Sequence, residues 1–221
     1  MKIKKIHSWK TSAKEAIRIQ NRLSKKIKRS KVSGPVKVIG GCDASFSKDE
    51  DKVLAAVVIL SFPALEVLEV VTAIRKANFP YVPGLLTFRE GPALLDCFKK
   101  IKIKPRVLFF DGQGIAHPRH MGIATHMGIL LDLPTIGCAK SKLFGTYKEP
   151  APKRGSFSII KGKDNEILGA ALRTKDDVRP VFVSLGHKMN LEDAIKLTLK
   201  VARKYRIPEP LRQAHQSANR I

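Results

Sequence analysis

The sequence predicts an α/β (α+β) domain built on one mixed sheet, with three antiparallel strands near the N-terminus and helices on both faces. The first observation is that three consecutive β-type segments, at 36–46, 53–61 and 65–73, are separated by very short turns at 48–51 and 62–63. Turns this short connect antiparallel neighbours. The second observation is that helical and strand patterns alternate further along the chain. Because we find no repeat and no flexible linker, we expect a single domain over residues 1–221.

Capping patterns predict where the helices begin. Ser12 and Glu15 have the spacing of a capping box and precede apolar positions with helical periodicity, which predicts a basic helix over about 12–29. Thr87 and Glu90 have the same spacing and predict a helix from 87 to about 101. The other predicted strands are at 106–111, 135–138, 157–160, 167–173 and 181–185. Helices are predicted at about 122–131, at 190–204 with Asn190 as its cap, and from Pro208 onward.

The composition points to a polyanionic partner. The chain has a formal net charge of +23, which creates a strongly positive surface potential and favours nucleic acid as the partner. A lysine surface that only keeps the protein soluble is the alternative. No segment approaches the roughly 20 apolar residues that span a bilayer, and the basic N-terminus lacks the apolar run of a signal peptide. We therefore expect a cytoplasmic monomer without a membrane partner.

The cysteines suggest a reducing compartment. Cys42, Cys97 and Cys138 are odd in number, lie in apolar surroundings and show no zinc-ligand spacing. We therefore expect reduced thiols in the protein core.

Three acidic residues stand where they could reach a common site. Asp111 follows the apolar strand VLFF (107–110) and precedes a glycine-containing turn, which is how an open sheet builds a site. Asp43 lies in a strand that we expect to be central, where a charged carboxylate must be paired or bound to a metal. Each acid also has a structural interpretation: Asp43 as a turn residue, Asp111 as a cap of the next turn, and Glu90 as part of its capping box.

Convergence of these carboxylates would create a metal site. Oxygen ligands suit Mg²⁺ or Mn²⁺ better than zinc, and two such ions can hold the attacking and leaving oxygens of a phosphodiester displacement. A basic protein with this site is a nuclease candidate. His117, His120 and His126 follow the same strand and could bind metal, although packing is the simpler interpretation of His126. Lys140 and Lys142 could neutralise phosphate or be solvated.

Six segments of the chain together resemble the endonuclease V family of deaminated-base repair nucleases. They occur in the family's order and extend across most of the chain, and the DGQGIAHPR and PYVP matches are highly specific. The segments are GCDASF (41–46), FPYVPG (79–84), LTFRE (86–90), DGQGIAHPR (111–119), PTIGCAK (134–140) and PEPLRQAH (208–215). The resemblance implies an RNase H-like domain, a layout that the predicted order of elements also fits.

The resemblance also implies an activity. Members of the family recognise hypoxanthine (inosine) and cut the second phosphodiester bond on its 3′ side, leaving 3′-hydroxyl and 5′-phosphate ends. By family pattern Asp43, Glu90 and Asp111 would bind Mg²⁺ or Mn²⁺, and His215 would complete the catalytic group. We hypothesise that metals held by Asp43 and Asp111 activate water and stabilise the leaving 3′-oxygen. Glu90 would anchor the metal shell, and His215 would position the water or the scissile phosphate.

The substrate contacts follow from the same resemblance. Tyr81 matches the wedge residue that fills the gap left by a displaced base, and an aromatic ring suits stacking on bases. Arg89 and Lys140 occupy positions that contact the nucleic acid or support the site. In the lesion pocket, glycine backbone groups would read a flipped base and aliphatic groups would bracket it. This pocket is carried over onto Gly84, Leu86, Gly112, His117, Ile123 and Leu143.

Other functions are also compatible with the sequence. A non-catalytic nucleic-acid-binding protein would explain the charge, although it would not need three carboxylates in a basic chain. An inosine-specific ribonuclease of the same family, or a nuclease of the same fold that acts on junctions or RNA–DNA hybrids, would share the metal site. Whether DNA or RNA is the main substrate depends on contacts to the 2′-hydroxyl.

Overall fold

The computed structural model describes residues 1–49 and 51–221, within which the chain forms eight strands and five α-helices. The strands are β1 (Val38–Phe46), β2 (Lys52–Ser61), β3 (Val67–Lys76), β4 (Val107–Phe110), β5 (Thr135–Ala139), β6 (Phe157–Lys161), β7 (Ile167–Leu172) and β8 (Val181–Leu185). The helices are α1 (Ala13–Ser24), α2 (Leu86–Lys100), α3 (Ile123–Leu131), α4 (Leu191–Val201) and α5 (Glu209–Ala218). The predicted turn at 48–51 joins β1 to β2, and its residue Glu50 lies outside the described residues.

The strands form one sheet in the order β3-β2-β1-β4-β5-β8-β7-β6. β1, β2 and β3 make the predicted antiparallel meander, whereas β4 runs parallel to both β1 and β5. The antiparallel strands β8, β7 and β6 complete the sheet. The predicted mixed, RNase H-like sheet is therefore confirmed, and its parallel centre brings the carboxyl ends of β1, β4 and β5 to one edge.

Helices cover both faces of the sheet, as predicted. Successive side chains of a strand point to opposite faces. Accordingly, Val57 and Ile59 of β2 pack in one apolar core with α2 and α3, whereas Val58 and Leu60 pack in the other with α4 and α5. Burial on both sides explains why β2 is an almost continuous apolar run.

The sequence also predicted that the cysteines are core thiols and that no segment spans a membrane. The three cysteines are buried and free, as predicted for core thiols. Among the helices of the described residues, none has the length and apolar character that crossing a membrane requires.

The predicted caps of α1 and α4 are confirmed, but both helices end early. The side chains of Ser12 and Asn190 accept hydrogen bonds from the backbone N–H groups three residues later. α1 ends at Ser24 instead of about 29, because the chain turns there and Ile27 packs between the apolar residues of α1 and the core that contains α4 and α5. α4 ends at Val201 instead of about 204, where Arg154 donates to the carbonyl oxygens of Leu199 and Ala202.

The predicted capping box at the start of α2 is wrong. α2 begins at Leu86, so Thr87 lies inside the first turn, and no side chain caps this end. The start of the helix is set by apolar packing instead, because Leu85 occupies the N-cap position and is buried against Phe88. Glu90 is therefore free of a capping role and is itself buried.

α5 lies directly across β1, and Gly41 makes this approach possible. A Cβ atom at position 41 would overlap the carbonyl group of Pro210 at the start of α5. Glycine is required here because a helix backbone sits against the strand. This contact sets the distance between β1 and the side chains that α5 carries.

Gly41→Ala should lower the melting temperature by roughly 3–10 °C, because the added methyl group forces α5 away from β1 and such overpacking costs about 1–3 kcal/mol. Thermal unfolding followed by circular dichroism measures the change. A melting temperature equal to that of the wild type would show that this contact does not seat α5.

Candidate active site

The carboxyl ends of β1 and β4 bring Asp43 and Asp111 side by side. Cys42 pairs with Phe110 in the parallel register, so the next residue of each strand lies at the same level. The backbone N–H of Asp111 donates to the Cys42 carbonyl oxygen at 3.1 Å, which continues the pairing up to the carboxylates. Asp43 is buried, so its carboxylate has lost most of its water.

α5 adds an imidazole to this pair. His215 Nδ1 lies 2.7 Å from Asp43 Oδ2, and one possible ligand atom from each of Asp43, Asp111 and His215 lies within 4.8 Å of the others. Asn219, one turn later, places its amide nitrogen 3.1 Å from His215 Nε2. Because an amide nitrogen only donates, Nε2 accepts and Nδ1 carries the proton toward Asp43. Asn219 was not singled out in the sequence, since its only signal is the four-residue spacing from His215.

Glu90 adds a third carboxyl group from α2, although it lies outside the cluster of Asp43, Asp111 and His215. Burial, together with nearby Asp43 and Asp111, raises the pKa of Glu90 well above its usual value, while the charge of Arg89 opposes this rise. Burial and Asp111 also raise the pKa of Asp43 to about 6, against the hydrogen bonds from His215 and Ala44. Carboxylates crowded in this way resist simultaneous ionisation unless a cation joins them.

Lys140 provides a positive charge beside Asp111. Its Nζ lies 2.6 Å from Asp111 Oδ2. Burial lowers the pKa of this ammonium group, but the hydrogen bond and charge of Asp111 outweigh burial, so the pKa is raised overall. Arg206 donates to the Lys140 carbonyl oxygen at 2.8 Å and anchors the backbone that carries the lysine. Sequence patterns do not reveal Arg206, because its partner is a backbone group of a distant segment.

A cavity opens next to this cluster, and Gly112 in its wall directly follows Asp111. Gly112 has a φ of +143°, and a Cβ atom there would lie 2.8 Å from Ile123 Cγ2, so the wall requires glycine. The structure gathers around this cavity all the residues that the resemblance assigns to the lesion, with Gln113 and Lys142 beside them. They are Tyr81, Gly84, Leu86, Gly112, His117, Ile123 and Leu143. Their contacts with nucleic acid stay a prediction.

His117 is a hydrogen-bond donor in the cavity wall. Its Nδ1 accepts from the backbone N–H of Arg119 at 3.1 Å, so Nε2 carries the proton and donates to the Gly84 carbonyl oxygen at 2.9 Å. Burial lowers the pKa of His117 to about 4, because it outweighs the opposing effect of the Gly84 hydrogen bond. The ring is therefore neutral near pH 7 and holds the backbone at Gly84.

The other two histidines after β4 lie apart from this cavity wall. His120 Nε2 is 3.0 Å from Glu166 Oε2, and the buried ring of His126 stacks on Trp9 with centroids 5.6 Å apart. Metal binding by His117, His120 and His126 together is therefore wrong, because each ring is committed to a different partner. The packing interpretation of His126 is confirmed.

Arg89 supports the loop that carries Tyr81. Its guanidinium group stands 4.6 Å from the centre of the Phe46 ring, and Nη1 donates to the Phe79 carbonyl oxygen at 3.3 Å. Of the two roles that the resemblance leaves open for Arg89, this position favours support of the site.

Glu90→Gln should stabilise the metal-free protein, and the gain should be larger near pH 7.5 than near pH 5. The raised pKa means that folding disfavours the ionised carboxylate, so the penalty begins as the unfolded chain ionises around 4.5 and grows with pH. Melting temperatures of variant and wild type in EDTA measure the difference at both pH values. The exposed Glu66→Gln is the control, and an equal gain at both pH values would contradict the assignment.

Comparison with known proteins identifies the family. A family model described as Endonuclease V matches residues 20–216. The endonuclease V of Dictyoglomus thermophilum is 54% identical over 201 residues, which are 91% of this chain and 87% of that protein. The crystal structure of endonuclease V from Streptomyces avermitilis has a TM-score of 0.91 and 38% identity, and the match covers 96% of this chain and 94% of that one.

A third relative has been solved with nucleic acid. Endonuclease V of Ciona intestinalis, in complex with a 24mer DNA containing an inosine followed by a ribo-adenosine, has a TM-score of 0.84 and 31% identity. That match covers 94% of this chain and 96% of the Ciona chain. The family model spans most of the chain, and the relatives are similar over almost their whole length. The chain therefore belongs to the endonuclease V family, nucleases that act on phosphodiester bonds.

Proposed function

We propose that this endonuclease is a metal-dependent DNA-repair enzyme that recognises a deaminated purine, inosine or hypoxanthine. It cleaves the second phosphodiester bond on the 3′ side of the lesion and leaves 3′-hydroxyl and 5′-phosphate ends. The observation that carries the proposal is that the cluster of Asp43, Asp111 and His215 adjoins a cavity whose wall includes Gly112, the residue after Asp111. The cluster has the chemistry for phosphodiester hydrolysis, and the cavity has the chemistry to hold a base.

The donor set of the cluster fits a divalent cation. Asp43 and Asp111 offer hard carboxylate oxygens, which suit Mg²⁺ or Mn²⁺. The raised pKa values of Asp43 and Glu90 support the same assignment, because a cation relieves the repulsion between buried carboxylates. When bound, such an ion supplies positive charge that stabilises the charge developing on the phosphate oxygens. Asp43 and Asp111 would hold it, and Glu90 would anchor the surrounding shell.

The neighbouring residues have separate tasks in hydrolysis. Lys140, paired with Asp111, presents an ammonium group that offsets the negative charge of a phosphate. His215 is half exposed, and Asp43 and Asn219 fix the orientation of its ring. It is therefore placed to orient a water molecule or the scissile phosphate, and preset orientation of this kind lowers the barrier to reaction.

The cavity has the composition that a flipped purine requires. Leu86, Ile123 and Leu143 offer aliphatic contact to the faces of a base, while glycines let backbone groups approach its edge. Tyr81 is 64% exposed at the cavity, where its ring can fill the space that the flipped base leaves in the stack. A base would thus be held apart from the cluster that acts on the backbone.

Charge and family support a nucleic-acid substrate. The net charge of +23 favours binding to the phosphate backbone in a salt-dependent manner. The Ciona relative was solved with inosine-containing DNA. The ribo-adenosine that follows the inosine in that DNA favours a second candidate, an inosine-specific ribonuclease, because the 2′-hydroxyl is what separates RNA from DNA.

Matched DNA and RNA strands that each carry one inosine distinguish the two candidates. With Mg²⁺ the protein should nick the preferred strand at one position, the second bond 3′ to the inosine. End-labelled strands and mapping of the product termini locate the cut, and the ratio of kcat/KM values identifies the substrate. Absence of nicking in both strands, with Mg²⁺ and with Mn²⁺, would contradict the proposal.

Asp111→Asn should reduce Mg²⁺-dependent cleavage of the inosine strand by about a hundredfold or more, since metal-site charge stabilisation is worth several kcal/mol. Single-turnover cleavage measures the loss. Asp177→Asn is the matched control, because Asp177 is an exposed aspartate in a left-handed conformation that asparagine tolerates. Cleavage at the wild-type rate by Asp111→Asn would remove Asp111 from the catalytic group.

Tyr81→Ala should weaken binding to an inosine strand by roughly tenfold to a hundredfold, because stacking of one base on an aromatic ring is worth about 1–3 kcal/mol. Binding to an undamaged strand should change little, since phosphate contacts dominate it. Salt titrations with both strands separate the loss of base stacking from any loss of phosphate contacts. Tyr205→Ala is the control, because Tyr205 is an exposed tyrosine that does not line the cavity. Equal losses on both strands would argue against a wedge.

A further inference from the structure

A buried polar network holds the loop that carries Tyr81. Within the described residues, the Gly84 carbonyl oxygen accepts hydrogen bonds from Gln20 Nε2 at 2.8 Å, His117 Nε2 at 2.9 Å and Arg119 Nη2 at 3.0 Å. A carbonyl oxygen has two lone pairs, so three donors saturate it and fix the orientation of its peptide group. Gly84 closes the loop at 79–84 and lines the cavity, so this peptide connects the network to the proposed lesion pocket.

Gln20 is the centre of this network. It lies on the apolar side of α1 and has no exposed surface, where an amide is unfavourable unless its polar groups are paired. Its Nε2 donates to Gly84 and also to the Met121 carbonyl oxygen at 3.2 Å, and its Oε1 accepts from Arg119 Nε. One side chain of α1 therefore ties together the Tyr81 loop, the cavity wall at Met121 and Arg119.

The backbone at Gly84 has little freedom to move. Its φ of +77° is in the left-handed region, and an added Cβ atom would lie 2.8 Å from Arg119 Nη2. The N–H group of the same peptide, that of Leu85, donates to the Val82 carbonyl oxygen at 2.9 Å. Both polar groups of this peptide are therefore fixed, and the loop cannot shift along the cavity without breaking hydrogen bonds.

We propose that Gln20 and Arg119 are positioning residues for lesion recognition. They hold Gly84, and through it the loop with Tyr81, in the arrangement that accepts a flipped base. This inference rests on the proposed function. None of the hydrogen bonds of the network involves Asp43, Asp111 or His215. The two residues therefore act on binding of the lesion, because a preordered loop loses less conformational freedom on binding, and they do not act on hydrolysis.

Gln20→Leu tests the role because it removes the amide and keeps a side chain of similar size. We expect about a tenfold loss of affinity for an inosine strand and little change for an undamaged strand, measured by fluorescence anisotropy in EDTA. The single-turnover cleavage rate at saturating enzyme and Mg²⁺ should stay within about threefold of the wild type. Ile19→Val is the matched control, since it trims a buried side chain of the same helix and leaves the network intact.

Gln20→Glu is a second variant that separates donor from acceptor. It keeps an oxygen that accepts from Arg119 and removes the N–H donors to Gly84 and Met121. It should therefore lose discrimination as Gln20→Leu does, and it carries the test if Gln20→Leu folds poorly. Wild-type discrimination by Gln20→Glu would overturn the proposal.

A double-mutant cycle with Tyr81→Ala tests whether Gln20 acts through the loop that carries Tyr81. If Gln20 acts through the loop, Gln20→Leu should cause little additional loss of discrimination once Tyr81 is absent. Additive losses in the double mutant would overturn the idea that Gln20 acts through this loop, as would equal losses of affinity for inosine and undamaged strands.

The proposed function and the positioning role of Gln20 fail in different ways. A wild-type protein without preference for inosine contradicts the proposed function, whereas wild-type preference in a folded Gln20 variant overturns only the positioning role.

Discussion

The parallel pairing of β1 with β4 is the constraint on which the rest of the structure depends, because it places two carboxylates side by side in a largely buried position. Cys42 and Phe110 are in register, so Asp43 and Asp111 follow at the same level of the sheet. Two such charges repel each other strongly where water is scarce. Neighbouring groups offset this repulsion: Lys140 forms an ion pair with Asp111, and His215 hydrogen-bonds to Asp43.

Chemistry and packing place opposite demands on the centre of the sheet. Burial and the neighbouring carboxylates raise the pKa of Glu90, so the fold disfavours the ionised form of this carboxyl group. The proposed cation resolves the conflict, since it turns mutual repulsion into shared ligation. The packing that permits this arrangement is itself close: α5 can deliver His215 to β1 only because Gly41 leaves room for the helix backbone.

In the proposed function, recognition and hydrolysis would rely on separate groups of residues that meet at Asp111 and Gly112. The carboxylate belongs to the charged cluster, and the glycine that follows it belongs to the cavity. The cluster depends on strand register, whereas the cavity depends on the hydrogen bonds that fix Gly84. Under the proposal, the cavity would select the base by shape and backbone contacts, and the charged cluster would act on the phosphate.

The sequence by itself determined the features that depend on near neighbours in the chain: the strands of the meander, the caps at Ser12 and Asn190, and the family motifs. Periodicity and capping are local, so a few residues encode them. The tertiary structure alone decided that Glu90 is a buried carboxyl group and not a capping residue, that Gln20 holds Gly84, and that His215 Nδ1 hydrogen-bonds to Asp43. The last two partners are 172 positions apart, and only strand register and helix packing bring such residues together.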